Sequence, residues 1–340
     1  MAKELLLSFV VPCFNAEKYV QRCLDSIFRC GLDENGYEVL CVNDCSTDGT
    51  SEILRQNSEL HANLRVITHE VNKGWGGPRN TGIKEAKGRF LWFVDADDMV
   101  RKEGVANAVE KADKEGLDVL CFNYERVNDE GEVLSCPKVF DEVSARDGYA
   151  FAKTAFNGGI VNHMGFVWRF IYKTEYLRTH QLYFPEKVCW EDTVFMPKSI
   201  LEAERVSSIP DVLYAYRANA ESVSGVFSRV YPANLIYDFA FHAGPDLFNF
   251  SKEVKDADLS SSFAQTAIKR YINGFAIHLF RTGRKERKRF YEIVRENSKD
   301  VKVWKPYMGL LNRVLLMSIA GPWITELLSR TYRIKNGKGK

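Results

Sequence analysis

The feature that most constrains this chain is an alternation of two hydrophobic periods through its first 120 residues. Leu5 to Val11 is a continuous apolar run broken only by Ser8, the pattern of a strand buried on both faces. Tyr19, Val20, Cys23, Leu24, Ile27 and Phe28 then recur at helical spacing, and Gly31 marks the helix end. Tyr37 to Val42 predicts a second strand, and Ser46 to Gly49 opens a helix running through Leu60. A strand at Leu64 to Thr68, a helix at Asn80 to Lys87 and a strand at Phe90 to Val94 continue the rhythm. A helix at Glu103 to Lys114 and a strand at Asp118 to Phe122 complete it. Strands joined by helical crossovers of this length predict an α/β fold with a mostly parallel central sheet flanked by helices.

From about residue 124 the rhythm loosens. Short strand-like pieces (Val167 to Tyr172, Arg205 to Ser208, Val212 to Tyr216) mix with helical ones (Ala145 to Phe156, Asp192 to Glu204). These predict a second half that completes the same sheet. Beyond about residue 230 the pattern is helical throughout.

Ligands of open α/β sheets bind outside the carboxyl ends of the strands. Three such exits carry unusual residues here. The first strand leaves through Pro12, Cys13, Phe14 and Asn15, and the second through Asn43, Asp44, Cys45 and Ser46 to Gly49. The fourth ends in Asp95, Asp97 and Asp98. Carboxylates one residue apart at a strand's exit suit a divalent cation that also takes water and phosphate oxygens. Asp97 or Asp98 could instead cap a following helix. Between the third and fourth strands, Gly74, Gly76 and Gly77 would let backbone approach a ligand, ahead of a helix start that favours anions. Arg79 sits there as a fork for phosphate or a base edge.

A net charge of +2 argues against nucleic acid as the main partner, since phosphate backbones demand a concentrated basic face. The eight cysteines form no CxxC pair, which excludes zinc-type spacing and predicts small apolar packing groups. The N-terminus lacks a signal peptide's cleavage region, which predicts a cytoplasmic protein.

These residues now carry a resemblance. Val10 to Asn15, Asn43 to Thr50, Asn72 to Gly74 with Pro78 to Gly82, and Asp95 to Asp98 resemble the signatures of glycosyltransferase family 2. The likeness continues through Val167 to Arg169, Tyr172 and Lys173, Trp190 to Phe195, and Leu213 to Arg217 with Ser222 to Ser224, covering roughly residues 5 to 225. It implies an inverting enzyme with the GT-A fold, to which the pattern beyond residue 230 adds a helical C-terminal extension. Residues 1–123 would be the nucleotide-sugar-binding half, 124–229 the acceptor-binding half of the same domain, and 230–340 a helical region.

The resemblance also implies roles. Pro12, Phe14 and Asn15 would line the uracil and ribose pocket, Asp44 would accept from the base N3–H, and Asn72 and Arg79 would touch the nucleoside. Asp95 would face ribose and metal, Asp97 would be the main ligand of Mg²⁺ or Mn²⁺, and Asp98 would support them or cap a helix. Arg217 would contact the diphosphate of a UDP-sugar, or be an ordinary strand-end arginine.

Inversion at an anomeric carbon needs a carboxylate opposite the diphosphate to take the acceptor's proton. Trp190-Glu191-Asp192 opens a helix, where acids are also stabilised by the dipole. In the family pattern Asp192 is the base and Glu191 holds sugar hydroxyls; a free Asp, with pKa ~3.9, is already ionised at neutral pH. His163 and Trp168 fall near acceptor positions, but a surface histidine and a core tryptophan explain them.

Arg281 to Arg289 holds six basic residues and one acid, and residues 330 to 340 add five basic residues. The apolar run Met308 to Ile324 between them is interrupted by Arg313 and Pro322, too short for a span. With Trp323 and the flanking cations, residues 306–340 suit a helix lying at the inner face of the cell membrane, or one that forms an oligomer.

The expected activity is transfer from a UDP-sugar to a polysaccharide or lipid-linked saccharide acceptor. A sugar-phosphate nucleotidyltransferase is the alternative, weakened because no glycine-rich loop with a basic residue follows the first strand. A non-catalytic nucleotide-sugar-binding protein is the third reading, against which Asp97 and Asp192 both stand.

Overall fold

A computed structural model describes residues 5–155, 166–218, 233–238 and 242–280, with positions 285, 289 and 292. The chain divides into two compact units, Met1–Ala218 and Asn219–Lys340. His163, Ser222 to Ser224 and the tail 306–340 lie outside the described residues.

The first unit is built on one sheet of ten strands: β1 Leu7–Cys13, β2 Tyr37–Asn43, β3 Leu64–Thr68, β4 Phe90–Phe93, β5 Met99–Val100, β6 Val119–Val127, β7 Val133–Ser135, β8 Val143–Arg146, β9 Phe170–Lys173 and β10 Val206–Arg217. Its order is β3-β2-β1-β4-β9-β6-β10-β5, with β7 on β6 and β8 on β10. The central strands β1, β2 and β4 are buried on both faces, as their unbroken apolar runs require. Helices α1 Val20–Phe28, α2 Thr50–Leu60, α3 Gly76–Glu85, α4 Val105–Lys114, α5 Gly148–Ala155, α6 Thr174–Thr179 and α7 Asp192–Leu201 flank it. The expected α/β architecture is thus present, and the second half completes the sheet of the first.

The parallel character belongs to β3, β2, β1 and β4. Beyond them β9 runs antiparallel between β4 and β6, while β6 and β10 are parallel. Local details differ from the sequence expectation. The pieces expected at 205–208 and 212–216 are one strand, β10, with a register shift that accommodates the exposed Pro210. Val167–Arg169 is a 3-10 turn ahead of β9, and the helix expected from Ala145 begins after a short strand. No helix follows the acidic exit for Asp97 or Asp98 to cap: β5 does.

All eight cysteines are free thiols, and Cys13, Cys23, Cys30, Cys41, Cys121 and Cys189 are buried. Trp168 is a core residue, stacked on Tyr214 with ring centroids 4.4 Å apart. The second unit's described helices are Ala233–Asp238, Gly244–Glu253 and Ala257–Phe280. Among the described residues no helix is long and apolar enough to cross a membrane.

Candidate functional site

The exits of β1 and β2 are stitched together by side chains that bind backbone. Asn15, at φ 49°, accepts from the Thr47 N–H at 2.8 Å, and its own N–H donates to Ser46 Oγ at 3.0 Å. Ala16 N–H donates to Thr50 Oγ1 and Glu17 N–H to Asp48 Oδ2. Asp48 also accepts from the Thr50 N–H and hydroxyl, which fixes the turn ahead of α2, whose N-cap is Gly49 without a side-chain capping bond. Pro12 lies within β1, and Phe14, 53% exposed, stands out from the stitched loops as a free apolar surface.

Asp44 is 1% exposed. Its carboxylate takes the Lys73 N–H on both oxygens, at 2.9 and 3.0 Å, and the His69 Nδ1–H at 2.6 Å. A carboxylate only accepts, so His69 carries its proton on Nδ1 and its Nε2 accepts from Thr81 Oγ1 at 2.8 Å. Asn72 Nδ2 donates to the Asp44 carbonyl, and Gly74 N–H to Asn72 Oδ1. The β2 exit is therefore fixed by polar bonds.

The glycine loop does something other than expected. A Cβ on Gly74, at φ +74°, would lie 2.7 Å from Lys187 Cα, and one on Gly76 would collide with the Pro185 carbonyl oxygen. The close approach these glycines permit is to the protein's own segment 184–187, and α3 begins at Gly76 rather than Asn80. Lys187 N–H donates to the Lys73 carbonyl, and Asn80 exchanges two 2.8 Å hydrogen bonds with the Phe184 backbone. That segment leads straight into Trp190, Glu191 and Asp192.

Arg79 closes the site. Its Nη2 donates to Asp95 Oδ1 at 2.7 Å and its Nη1 to Glu191 Oε1 at 2.5 Å and to the Trp75 carbonyl at 3.0 Å. The acidic exit of β4 and the Glu191-Asp192 pair, almost 100 residues apart in sequence, thus share one guanidinium. Burial pulls this guanidinium's pKa down, but Asp95, Glu191 and Asp192 outweigh it and the shift is upward. One cation facing three acids leaves excess negative charge: burial, only partly offset by Arg79 and reinforced by Asp192, pushes Glu191 up to about 8.

A second arginine holds the other acid. Arg217 Nε donates to the Asp97 carbonyl at 2.9 Å, its Nη1 to Asp129 Oδ1 at 2.6 Å, and its Nη2 reaches Asp97 Oδ2 at 3.5 Å. Its guanidinium lies 3.6 Å from the centroid of the Tyr19 ring. Asp97, Asp98 and Arg217 border a cavity of about 310 Å³ with Lys18, Tyr19, Arg22, Met99 and Asp129. Burial and the charge of Asp95 raise the Asp97 carboxyl above its usual range, against the pull of Arg217.

Asp95 and Asp97 fit a divalent cation on their chemistry. Each has one oxygen tied to an arginine, the other makes no hydrogen bond among the described residues, and both side chains are partly exposed. No group of three or more acidic, histidine or cysteine ligands occurs among the described residues, so such a cation would rely on water and phosphate for its other positions. Asp98 does not join them: it is 2% exposed and both oxygens are taken.

Of the expected site residues, Asp44 and Asn72 therefore meet at the β2 exit, with Asn15 and Phe14 beside it. Arg79, Asp95, Glu191 and Asp192 meet at the β4 exit, bordered by Asp97 and Arg217. His69, Tyr214, Tyr19 and Asp129 were missed. The residue after β3 is itself a strand exit, so His69 could have been found by the rule that found the other three.

Known proteins share this chain's sequence pattern and fold. The model of Glycosyl transferase family 2 matches residues 8–201. The uncharacterized glycosyltransferase EpsJ of Bacillus subtilis is 31% identical over 65% of this chain and 63% of its own. The poly(ribitol-phosphate) β-N-acetylglucosaminyltransferase TarS of Staphylococcus aureus is 34% identical over 63% of this chain and 36% of its own. The chain thus spans less than two thirds of either relative. A crystal structure of S. aureus TarS residues 1–349 with UDP-GlcNAc superposes over 97% of this chain and 92% of that one, at TM-score 0.64 and 24% identity. A mannosyltransferase from Pyrobaculum calidifontis, in complex with GDP-Man and Mn²⁺, shares the fold at TM-score 0.50 and 16% identity over 95% of this chain and 86% of that one. With its acidic strand exit, its Trp190-Glu191-Asp192 segment and a family model matched over more than half its length, the chain belongs to glycosyl transferase family 2.

Proposed function

We propose that this chain is an inverting, metal-assisted glycosyltransferase that moves a hexose or N-acetylhexosamine from a UDP-sugar to a polysaccharide or lipid-linked saccharide acceptor. The observation that carries the reading is the Arg79 bridge, which brings Asp95 and Glu191 to one guanidinium. Donor and base must flank one sugar, and the guanidinium that holds Asp95 also holds the sequence neighbour of Asp192.

Pro12, Phe14, Asn15, Asp44 and Asn72 line the nucleoside pocket, and Arg79 shapes its inner wall. Asp95 and Asp97 hold Mg²⁺ or Mn²⁺ with their unpaired oxygens, and Arg217 faces the diphosphate. A cation bound there would offset the charge that gathers on the departing UDP. Asp192 takes the proton of the acceptor hydroxyl as the new C–O bond forms. Glu191, raised by burial and held by Arg79, holds sugar hydroxyls, which leaves the base role to its neighbour. The names of TarS, and of a Bacillus spizizenii poly(ribitol-phosphate) β-glucosyltransferase 29% identical over 67% of this chain, support a cell-surface polymer as acceptor.

The test is UDP release from a panel of UDP-hexoses and their N-acetyl forms with Mn²⁺, with lipid-linked saccharides and poly(ribitol phosphate) as acceptors. Acceptor-dependent UDP release is expected from one donor. A protein that binds UDP-sugars without turnover on any acceptor would be the non-catalytic binder instead, and one that makes a nucleotide sugar from a sugar phosphate and UTP would be the nucleotidyltransferase. A cytoplasmic location with peripheral membrane contact or self-association through 306–340 belongs to the same reading. Liposome flotation with and without those residues tests the membrane contact.

A further inference from the structure

Tyr214 lies in β10, whose end delivers Arg217. Its hydroxyl accepts from the Asp95 N–H at 3.1 Å and donates to Asp98 Oδ2 at 2.7 Å. Asp98 N–H donates back to the Asp95 carbonyl at 3.0 Å, and Asp98 Oδ1 accepts from the Arg217 N–H at 2.7 Å. These bonds form a closed ring around the turn 95–98. Both Tyr214 and Asp98 are buried, so the bonds are shielded from competing water.

The tyrosine itself is immobilised. Its ring stacks on Trp168 with an interplanar angle of 7°, and the Trp168 carbonyl receives the Trp92 indole N–H at 2.7 Å. Trp92 lies in β4, the strand that delivers the acids. The hydroxyl is thus held from behind by the same strand whose exit it grips. Asp95 and Asp97 repel each other, and Asp98 adds a third acid to the turn, so the turn left to itself would splay its carboxylates.

We propose that Tyr214, acting through Asp98, is a positioning residue that keeps the free oxygens of Asp95 and Asp97 converged on one divalent cation. It touches neither substrate nor cation. The proposal rests on the reading of Asp95 and Asp97 as cation ligands. Arg217 is drawn into the same device, because the backbone N–H bound by Asp98 belongs to the residue whose guanidinium steadies Asp97.

Tyr214→Phe removes one oxygen and keeps the ring. Mn²⁺ binding is read by electron paramagnetic resonance, and UDP binding by calorimetry with Mn²⁺ and with EDTA. Mn²⁺ affinity, and the gain it brings to UDP binding, should fall about tenfold, with UDP affinity in EDTA unchanged within about twofold. Asp98→Asn keeps the volume but sets an amide N–H against one of the two donors, and it should show the same split; it decides the matter if Tyr214→Phe does not fold. Wild-type Mn²⁺ affinity in the folded variant overturns the proposal. So does an equal loss of UDP binding with and without Mn²⁺, which would assign Tyr214 to packing alone. Wild-type UDP binding indifferent to Mn²⁺ would instead remove the metal reading itself, and this proposal with it.

Discussion

Asp44 and Asp95 leave the sheet on either side of β1, at the ends of β2 and β4, yet their carboxylates are held in opposite ways. Asp44 receives the Lys73 N–H on both oxygens and the His69 ring N–H on one, and is sealed from solvent. Asp95 has a single arginine on one oxygen and an open face on the other, and Asp97 is alike. A carboxylate has about four lone-pair directions, so Asp44 has little capacity left, whereas Asp95 and Asp97 keep much of theirs. The lesson is that spacing in the sequence marks acids at strand exits, but the count of donors on each oxygen separates scaffold from chemistry. By that measure the β2 exit is rigid scaffold, and the β4 exit is where charge can still be taken up.

The sharpest way to break this contrast is to remove the proposed base. Asp192→Asn should lower transfer about 10²- to 10⁴-fold, the usual worth of a positioned base, with UDP affinity held near wild type. UDP release gives the first quantity and calorimetry the second. Turnover like that of the wild type would take Asp192 out of the reaction and leave the acidic corner without a catalytic partner.

Next in size is the cation that joins the two acidic segments. Arg79→Met keeps the length and apolar bulk but leaves Asp95 without its counter-charge and Glu191 without its donor. Removing one partner of a buried ion pair costs about 3–5 kcal/mol, and Arg79 pairs with Asp95 while also donating to Glu191. Urea unfolding monitored by tryptophan fluorescence should show that loss. A loss below about 1 kcal/mol would mean that the cluster is relaxed by protonation rather than by Arg79.

Much of this was legible in the sequence, for a physical reason. Buried strands have unbroken apolar runs, and polar residues at their carboxyl ends have few purposes, so Pro12, Asn15, Asp44 and Asp95 stand out locally. What pairs with them does not. Tyr214 lies 119 residues from Asp95, and nothing in a strand's alternation distinguishes a tyrosine that braces a turn from one that fills a core. The glycine loop misled in the same way: Gly74 and Gly76 do signal close backbone approach, but only the folded chain says that the partner is the segment at 184–187.

Glu191 offers a pH handle on the acidic corner. Its folded pKa, about 8, stands above its ordinary value of 4.5, with burial as the main cause. Between those values the folded state holds a proton that the unfolded state has released. This contribution is therefore full below about pH 4.5 and is lost as pH rises through about 8. Denaturation midpoints from pH 5 to 9 should decline more steeply in the wild type than in Glu191→Gln, which has no proton to lose. Asp97 and Asp98, raised in the same direction, keep some slope in the variant. Parallel curves would place the retained proton on another acid of the cluster.

The smallest effect probes the other side of the contrast. Thr81 touches Asp44 only through His69, its hydroxyl donating to Nε2 while Nδ1–H binds the carboxylate. Thr81→Val removes that outermost bond with little change in volume, leaving His69 Nε2 without its donor. A neutral hydrogen bond of this kind contributes about 0.5–1.5 kcal/mol, and the Lys73 N–H still holds both Asp44 oxygens. Stability should drop by that amount, and the donor KM and kcat should stay as they are. If KM for the UDP-sugar rises while the fold holds, the His69 link tunes Asp44 for the base, and the β2 exit is then a working part of recognition rather than scaffold.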